Sequence, residues 1–147
     1  MNYMEIALEE AEKAYEEGEV PVGAVIVKDG CIIARCHNMK EQKKKATAHA
    51  EILAIEEASK HLGDWRLNGA EMYVTLEPCA MCASAIANAR ISKLHIGTFN
   101  RDMGACGSVF NIYGYDIFNT YVEVNWCYNE KCSKLITEFF YSRRNKK

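Results

Sequence analysis

Apolar positions recur at three- and four-residue spacing through Met4, Ala7, Leu8, Ala11, Ala14 and Tyr15. That stripe predicts an amphipathic helix, which Gly18 stops. Val20 to Val27 is rich in β-branched residues, and Asp29-Gly30 separates it from Cys31-Ile32-Ile33-Ala34-Arg35-Cys36, so the two runs predict a hairpin closed by a tight turn. Pro21 and Gly23 interrupt the start of the first strand and point to a close approach of backbone there. Thr47 to Leu62 predicts a helix with Gly63 just beyond its end, and Asp64 to Gly69 a connection. Met72 to Leu76 then predicts a strand, Cys79 to Ala89 a helix, and Leu94 to Thr98 another strand. Phe99 to Ser108 is loop, Tyr121 to Val124 an edge strand, and Glu130 to Arg144 a closing helix with Leu135, Ile136, Phe139 and Phe140 inward. The alternation of strands and helices is that of a layered α/β domain, with at least three strands parallel or mixed in one sheet.

Met39 to Lys45 breaks this regularity, being polar and strongly basic without apolar period. It predicts a loop or frayed turn, and two readings of its lysines stand: a solvated surface, or contacts to a phosphate-bearing substrate. The chain's length of 147 residues fits one domain, residues 1–147. A net charge of −2 gives no global attraction to nucleic acid, so any such binding must come from local basic clusters. Seven cysteines at irregular spacing, behind an N-terminal segment without a secretory pattern, fit a reduced, cytoplasmic protein. No apolar run approaches the roughly 18 residues of a membrane span.

The chemistry concentrates in two stretches, Tyr73-Val74-Thr75-Leu76-Glu77-Pro78-Cys79-Ala80-Met81-Cys82 and Thr47-Ala48-His49-Ala50-Glu51. Cys79 and Cys82 at the first turn of a helix share one face, and the positive helix end favours their thiolates. Two sulfurs and the imidazole of His49 suit zinc. The cysteines at 31, 36, 106, 127 and 132 form no second C-x-x-C pair, so only three protein ligands are in view, and three ligands leave a position for water. On a helix His49 and Glu51 stand about 200° apart, so the pair is useful only if the helix end points at the metal. Glu51 then stands beside the water as a proton carrier. A lone C-x-x-C is often a redox pair or half of a structural zinc site, and H-x-E alone is common. Their conjunction at two helix starts is far more specific.

These residues match the H-x-E and P-C-x-x-C signature of the zinc deaminases. The chain resembles the zinc-dependent cytidine and nucleoside deaminase superfamily, and more closely the bacterial tRNA adenosine deaminases. The likeness also runs through Glu19-Val20-Pro21-Val22-Gly23-Ala24, His37-Asn38, Trp65-Arg66-Leu67, Ala89-Arg90-Ile91, and Phe139-Phe140 with Arg143-Arg144. It implies a three-layer α/β/α domain with a central mixed sheet of about five strands. It further implies one Zn²⁺ per subunit on His49, Cys79 and Cys82, proton transfer by Glu51, and deamination of adenosine to inosine in a tRNA anticodon loop, at the wobble position. Asn38 corresponds to a residue that hydrogen-bonds the nucleoside, although a capped turn explains it equally well.

The resemblance also implies a homodimer, and RNA contacts from Phe140, Arg143 and Arg144 in the final helix, with Lys146 and Lys147 extending that basic cluster. Asn100 stands where the family usually carries Asp, and Asp102 where Lys is common. Asn both donates and accepts hydrogen bonds, so weaker discrimination of ribose from deoxyribose is one reading of Asn100, and drift in a surface loop is the other. Two rival functions remain open from sequence: a deaminase of free nucleobases or nucleosides such as guanine, cytosine or adenosine, and a non-catalytic zinc-stabilised RNA-binding module.

Overall fold

The computed structural model describes residues 1–145. Lys146 and Lys147 of the basic cluster lie outside the described residues. Five strands form one sheet in the order β2-β1-β3-β4-β5. The strands are β1 (Gly23–Lys28), β2 (Cys31–His37), β3 (Glu71–Leu76), β4 (Lys93–Thr98) and β5 (Glu123–Trp126). β1 runs antiparallel to both β2 and β3, whereas β3, β4 and β5 are parallel. The sheet is therefore mixed, as expected. The hairpin turn places Asp29 and Gly30 at φ 51° and 76°, the left-handed pair that a tight two-residue connection needs.

Helices cover both faces. On one side α1 (Tyr3–Glu16) and α5 (Glu130–Asn145) enclose Met4, Leu8, Val25, Val27 and Cys132. On the other, α3 (Ala50–Leu62) and α4 (Ala80–Asn88) close a larger core around Ile26, Met72, Val74, Ile86, Leu94 and Ile96. The buried stripe of α1 includes Ala7, Ala11 and Ala14. These small side chains let β1 come so near that a Cβ at Gly23 would collide with the Ala7 carbonyl, which accounts for the glycine at the strand's entrance. Asn2 caps α1 by accepting from the Glu5 N–H at 3.2 Å.

Several expected boundaries shift. Both helices at the chemistry start later than their apolar pattern suggests. His49 and Cys79 are extended residues just outside α3 and α4, at ψ 151° and 176°. The basic stretch folds into a single helical turn, α2 (Lys40–Lys43), ended by Lys44 at φ 51°. The last strand lies later than Tyr121 to Val124, because pairing with β4 sets Val124 against Leu94 and Trp126 against Ile96. In α5 the inward face is Cys132, Leu135 and Phe139, while Phe140 is 45% exposed rather than inward. No helix among the described residues is long and apolar enough to cross a membrane.

Candidate active site

The β1 N-terminus and the β3 and β4 C-termini lie at one end of the sheet, since Ala24 pairs with Val74 and Leu76 with Thr98. Chain segments gathered at this end build the site. The first is the Lys44–His49 connection, folded back on itself by Ala48 N–H to the Lys45 carbonyl and His49 N–H to the Thr47 carbonyl. It brings His49 to the N-cap position of α3, where its side chain makes no capping hydrogen bond. Cys79 occupies the same position in α4, also without a side-chain cap. Ser, Thr, Asp or Asn at these places would turn inward to the first helical N–H groups. Here both side chains turn toward each other.

The His49 Nδ1 atom lies 3.8 Å from Cys79 Sγ and 3.5 Å from Cys82 Sγ. All three potential ligand atoms fall within 4.8 Å of one another. Tetrahedral zinc, with Zn–S about 2.3 Å and Zn–N about 2.0 to 2.1 Å, requires sulfur and nitrogen roughly 3.5 Å apart, which both His49–sulfur distances approach. It is also the only such metal-capable cluster among the described residues. The expected reason for the pairing needs one correction. Because Cys79 is extended, the two thiols do not share the lateral face of a helix. They meet through the bend between N-cap and first turn. Likewise the 200° offset between His49 and Glu51 does not arise, because His49 precedes the helix.

The electrostatics agree with metal chemistry. Cys82 shares its proton with Cys79, and with the His49 hydrogen bond this outweighs burial and holds the Cys79 thiol at about 4. The same sharing, together with burial, pushes Cys82 up. The hydrogen bond with Cys79 raises His49 against the opposing effect of burial. Glu51, in the first turn of α3, is only 4% exposed. Burial, assisted by the nearby Cys79 charge, pushes its carboxyl to about 7 despite a hydrogen bond from its own N–H. A buried carboxyl titrating near neutrality is suited to moving protons.

Two buried carboxylates that the sequence patterns do not single out hold the surrounding loops. Glu77, 1% exposed, accepts from the N–H groups of Asn100, Cys106 and Ser108, each at 3.0 Å, and from the Ser108 hydroxyl. It thereby fastens the 99–108 loop to the segment carrying Cys79. Gly104 packs so closely on this carboxylate that a side chain there would clash. Glu19, also 1% exposed, accepts from Glu41 N–H at 3.0 Å and Gln42 N–H at 2.8 Å, tying α2 to the end of α1. The only local signal for Glu77 is its place immediately before Pro78-Cys79.

The other expected site residues fall in different surroundings. Asn38 is buried beside the site segment, since Met39 N–H bonds the carbonyl of Ala48. Its side chain donates to the Val20 carbonyl at 3.2 Å and accepts from Lys40 N–H at 3.1 Å. Asn100 turns into its own loop, where its side-chain oxygen accepts from Asp102 and Met103 N–H at 3.3 and 3.1 Å. Phe140, Arg143 and Arg144 sit on α5, across the sheet from α3 and α4. Arg143 lies 4.8 Å over the Phe139 ring and donates to the Gly18 carbonyl, which brings this helix end to the segment preceding β1. The lysines of α2 and the turn after it are exposed.

Comparison with known proteins agrees with this geometry. Residues 1–98 match the family described as the cytidine and deoxycytidylate deaminase zinc-binding region. A tRNA-specific adenosine deaminase of Bacillus subtilis (strain 168) is 47% identical over 99% of this chain and 91% of its own length. Another, from Aquifex aeolicus (strain VF5), is 46% identical over 97% of this chain and 95% of its own. A solved structure from a study of A-to-I editing by tRNA:A34 deaminases at the wobble position superposes with a TM-score of 0.88 at 42% identity, covering 90% of this chain and 97% of that one. With a His-Cys-Cys cluster that could hold zinc at two helix starts, the chain is a zinc-dependent hydrolytic deaminase and belongs to the cytidine and deoxycytidylate deaminase family, in the branch of the tRNA-specific adenosine deaminases.

Proposed function

We propose that this protein hydrolyses the 6-amino group of adenosine in a tRNA anticodon loop, at the wobble position, giving inosine and ammonia. One observation carries the reading: a buried Glu51 beside a three-ligand His49-Cys79-Cys82 cluster, in a chain 47% identical to a tRNA-specific adenosine deaminase. The three ligands would hold Zn²⁺, which when bound acts as a Lewis acid toward water and lowers its pKa from 15.7 to about 7. Glu51 accepts the proton that water loses as it adds to C6, and returns protons to the base so that the amino group departs as ammonia.

Asn38 is assigned to the nucleoside. Its internal bonds use one amide hydrogen and one oxygen lone pair, leaving one donor and one acceptor position for a ligand. Phe140 and Arg144 are assigned to RNA through stacking and phosphate contact, joined by the exposed lysines of the 40–45 segment. Arg143, committed to Phe139 and Gly18, orients that helix end. The chain is assigned to act as one domain, in a homodimer, in the cytoplasm.

The test is incubation of zinc-loaded protein with a tRNA anticodon stem-loop, free adenosine, cytosine and guanine, following inosine and ammonia. Inosine in the RNA supports the assignment. Turnover of free bases alone would replace it with a nucleobase deaminase, and no turnover of any substrate would favour a zinc-stabilised RNA-binding module.

A further inference from the structure

Phe99, Trp126 and Tyr128 form a contiguous aromatic cluster beside the site, with ring centroids separated by 5.0 Å (Phe99–Trp126), 5.6 Å (Phe99–Tyr128) and 6.4 Å (Trp126–Tyr128). Phe99 is 44% and Tyr128 64% exposed. Scattered exposed hydrophobic residues need no explanation, whereas adjoining exposed rings mark a surface that meets something. The backbone is arranged to present them. Tyr128 holds φ 49°, a region that bulky side chains uncommonly adopt, and it is flanked by Cys127 N–H to the Ile96 carbonyl at 2.8 Å and Asn129 N–H to the Gly97 carbonyl at 2.7 Å.

The cluster is continuous with the catalytic end of the sheet. Phe99 directly follows β4, and the next residue, Asn100, donates its N–H to Glu77 just before Pro78 and Cys79. On the other side of the same loop, Gly107 lies against the Trp126 ring. β4 and β5 are one and two strands from β3, so the rings stand roughly 5 to 10 Å across from the Cys79 segment, about the span of one to three stacked nucleotides. We propose that Phe99, Trp126 and Tyr128 are a stacking platform for an unpaired base flanking the reacting adenosine, an inference that rests on the RNA substrate proposed above. Arg101, two residues after Phe99, is exposed, but Asp102 follows it and offsets its charge, so the platform acts mainly through ring faces.

The experiment uses zinc-loaded full-length protein and a tRNA anticodon stem-loop. Phe99→Leu and Tyr128→Leu, both at exposed positions, should raise KM on the order of tenfold with kcat changed less than about twofold, and the ratio should persist at higher salt because stacking is not screened. In a Trp65→Phe background, stem-loop binding should quench Trp126 emission. An unchanged KM in both variants, or binding without quenching, would overturn the platform. So would variants that keep their KM but sediment as smaller species, which would give the rings to a contact between copies of the chain. Absence of inosine from the stem-loop with the unaltered protein would instead strike at the proposed function, and the quenching titration would still decide the platform.

Discussion

His49 and Cys79, the residues immediately preceding α3 and α4, face each other with Nδ1 3.8 Å from Sγ. Two helix starts thus turn their capping side chains toward a cluster that could hold a metal ion instead of closing on themselves. The N–H groups and dipoles of both helices point at the same place, which favours anionic sulfur and stabilises negative charge developing there.

Replacing Cys82 with Ala should therefore abolish zinc retention, because two remaining ligands do not make a stable site. Metal content measured after gel filtration should fall from about one zinc per chain to below about a tenth, with deaminase activity falling in parallel. Full zinc occupancy in that variant would refute the assigned ligand set.

Glu77→Ala should destabilise the protein strongly. It removes a buried acceptor and leaves the Asn100, Cys106 and Ser108 N–H groups without their partner. Each stranded donor costs about 1 to 3 kcal/mol before relaxation and water entry, so a loss of roughly 3 kcal/mol or more is expected in denaturant unfolding. Amide exchange should accelerate selectively across residues 99–108.

Acid should expose a different carboxylate. Burial raises Glu10, but hydrogen bonds from Lys13, His37 and Arg35 outweigh it and hold the carboxyl at about 2, below its ordinary 4.5. A depressed carboxylate pKa contributes stability that is present above the unfolded value and is lost as pH falls from about 4.5 toward 2. Thermal melts should show up to about 3 kcal/mol lost over that window, and Glu10→Gln should flatten the dependence while lowering stability at neutral pH.

Much of the fold was legible because it depends on local pattern: the α1 stripe, the Asp29-Gly30 turn and the strand-to-helix junction at Pro78 need only neighbouring residues. Where apolar periodicity continues past the true helix start, sequence cannot find the boundary, so His49 and Cys79 looked helical though they are extended. His49, Glu51, Cys79 and Cys82 stand out by type and spacing, and the structure brings the three candidate ligands among them within 4.8 Å of one another. Glu19 and Glu77 do not stand out, because their function lies in accepting N–H groups from segments 22 to 31 positions away. Phe140 fits the inward period of α5 by type, yet the helix packs inward through Cys132 and Leu135, and through Phe139 against Tyr15 of α1.

Asn100 illustrates the same limit, since its side-chain oxygen serves the turn at Asp102 and Met103. An aspartate there can accept both bonds. Asn100→Asp should therefore change the ratio of RNA to single-stranded DNA deamination by less than about twofold. A larger shift, measured with matched RNA and DNA stem-loops, would restore a direct role in reading the ribose.

The most direct test pairs the unaltered protein with Glu51→Gln, each loaded with zinc, on one tRNA anticodon stem-loop with adenosine at the wobble position. The expected result is stoichiometric inosine and ammonia from the first, and equal zinc content with turnover lower by about 10² to 10⁴ from the second. Undiminished inosine formation by zinc-loaded Glu51→Gln would contradict the account at its centre.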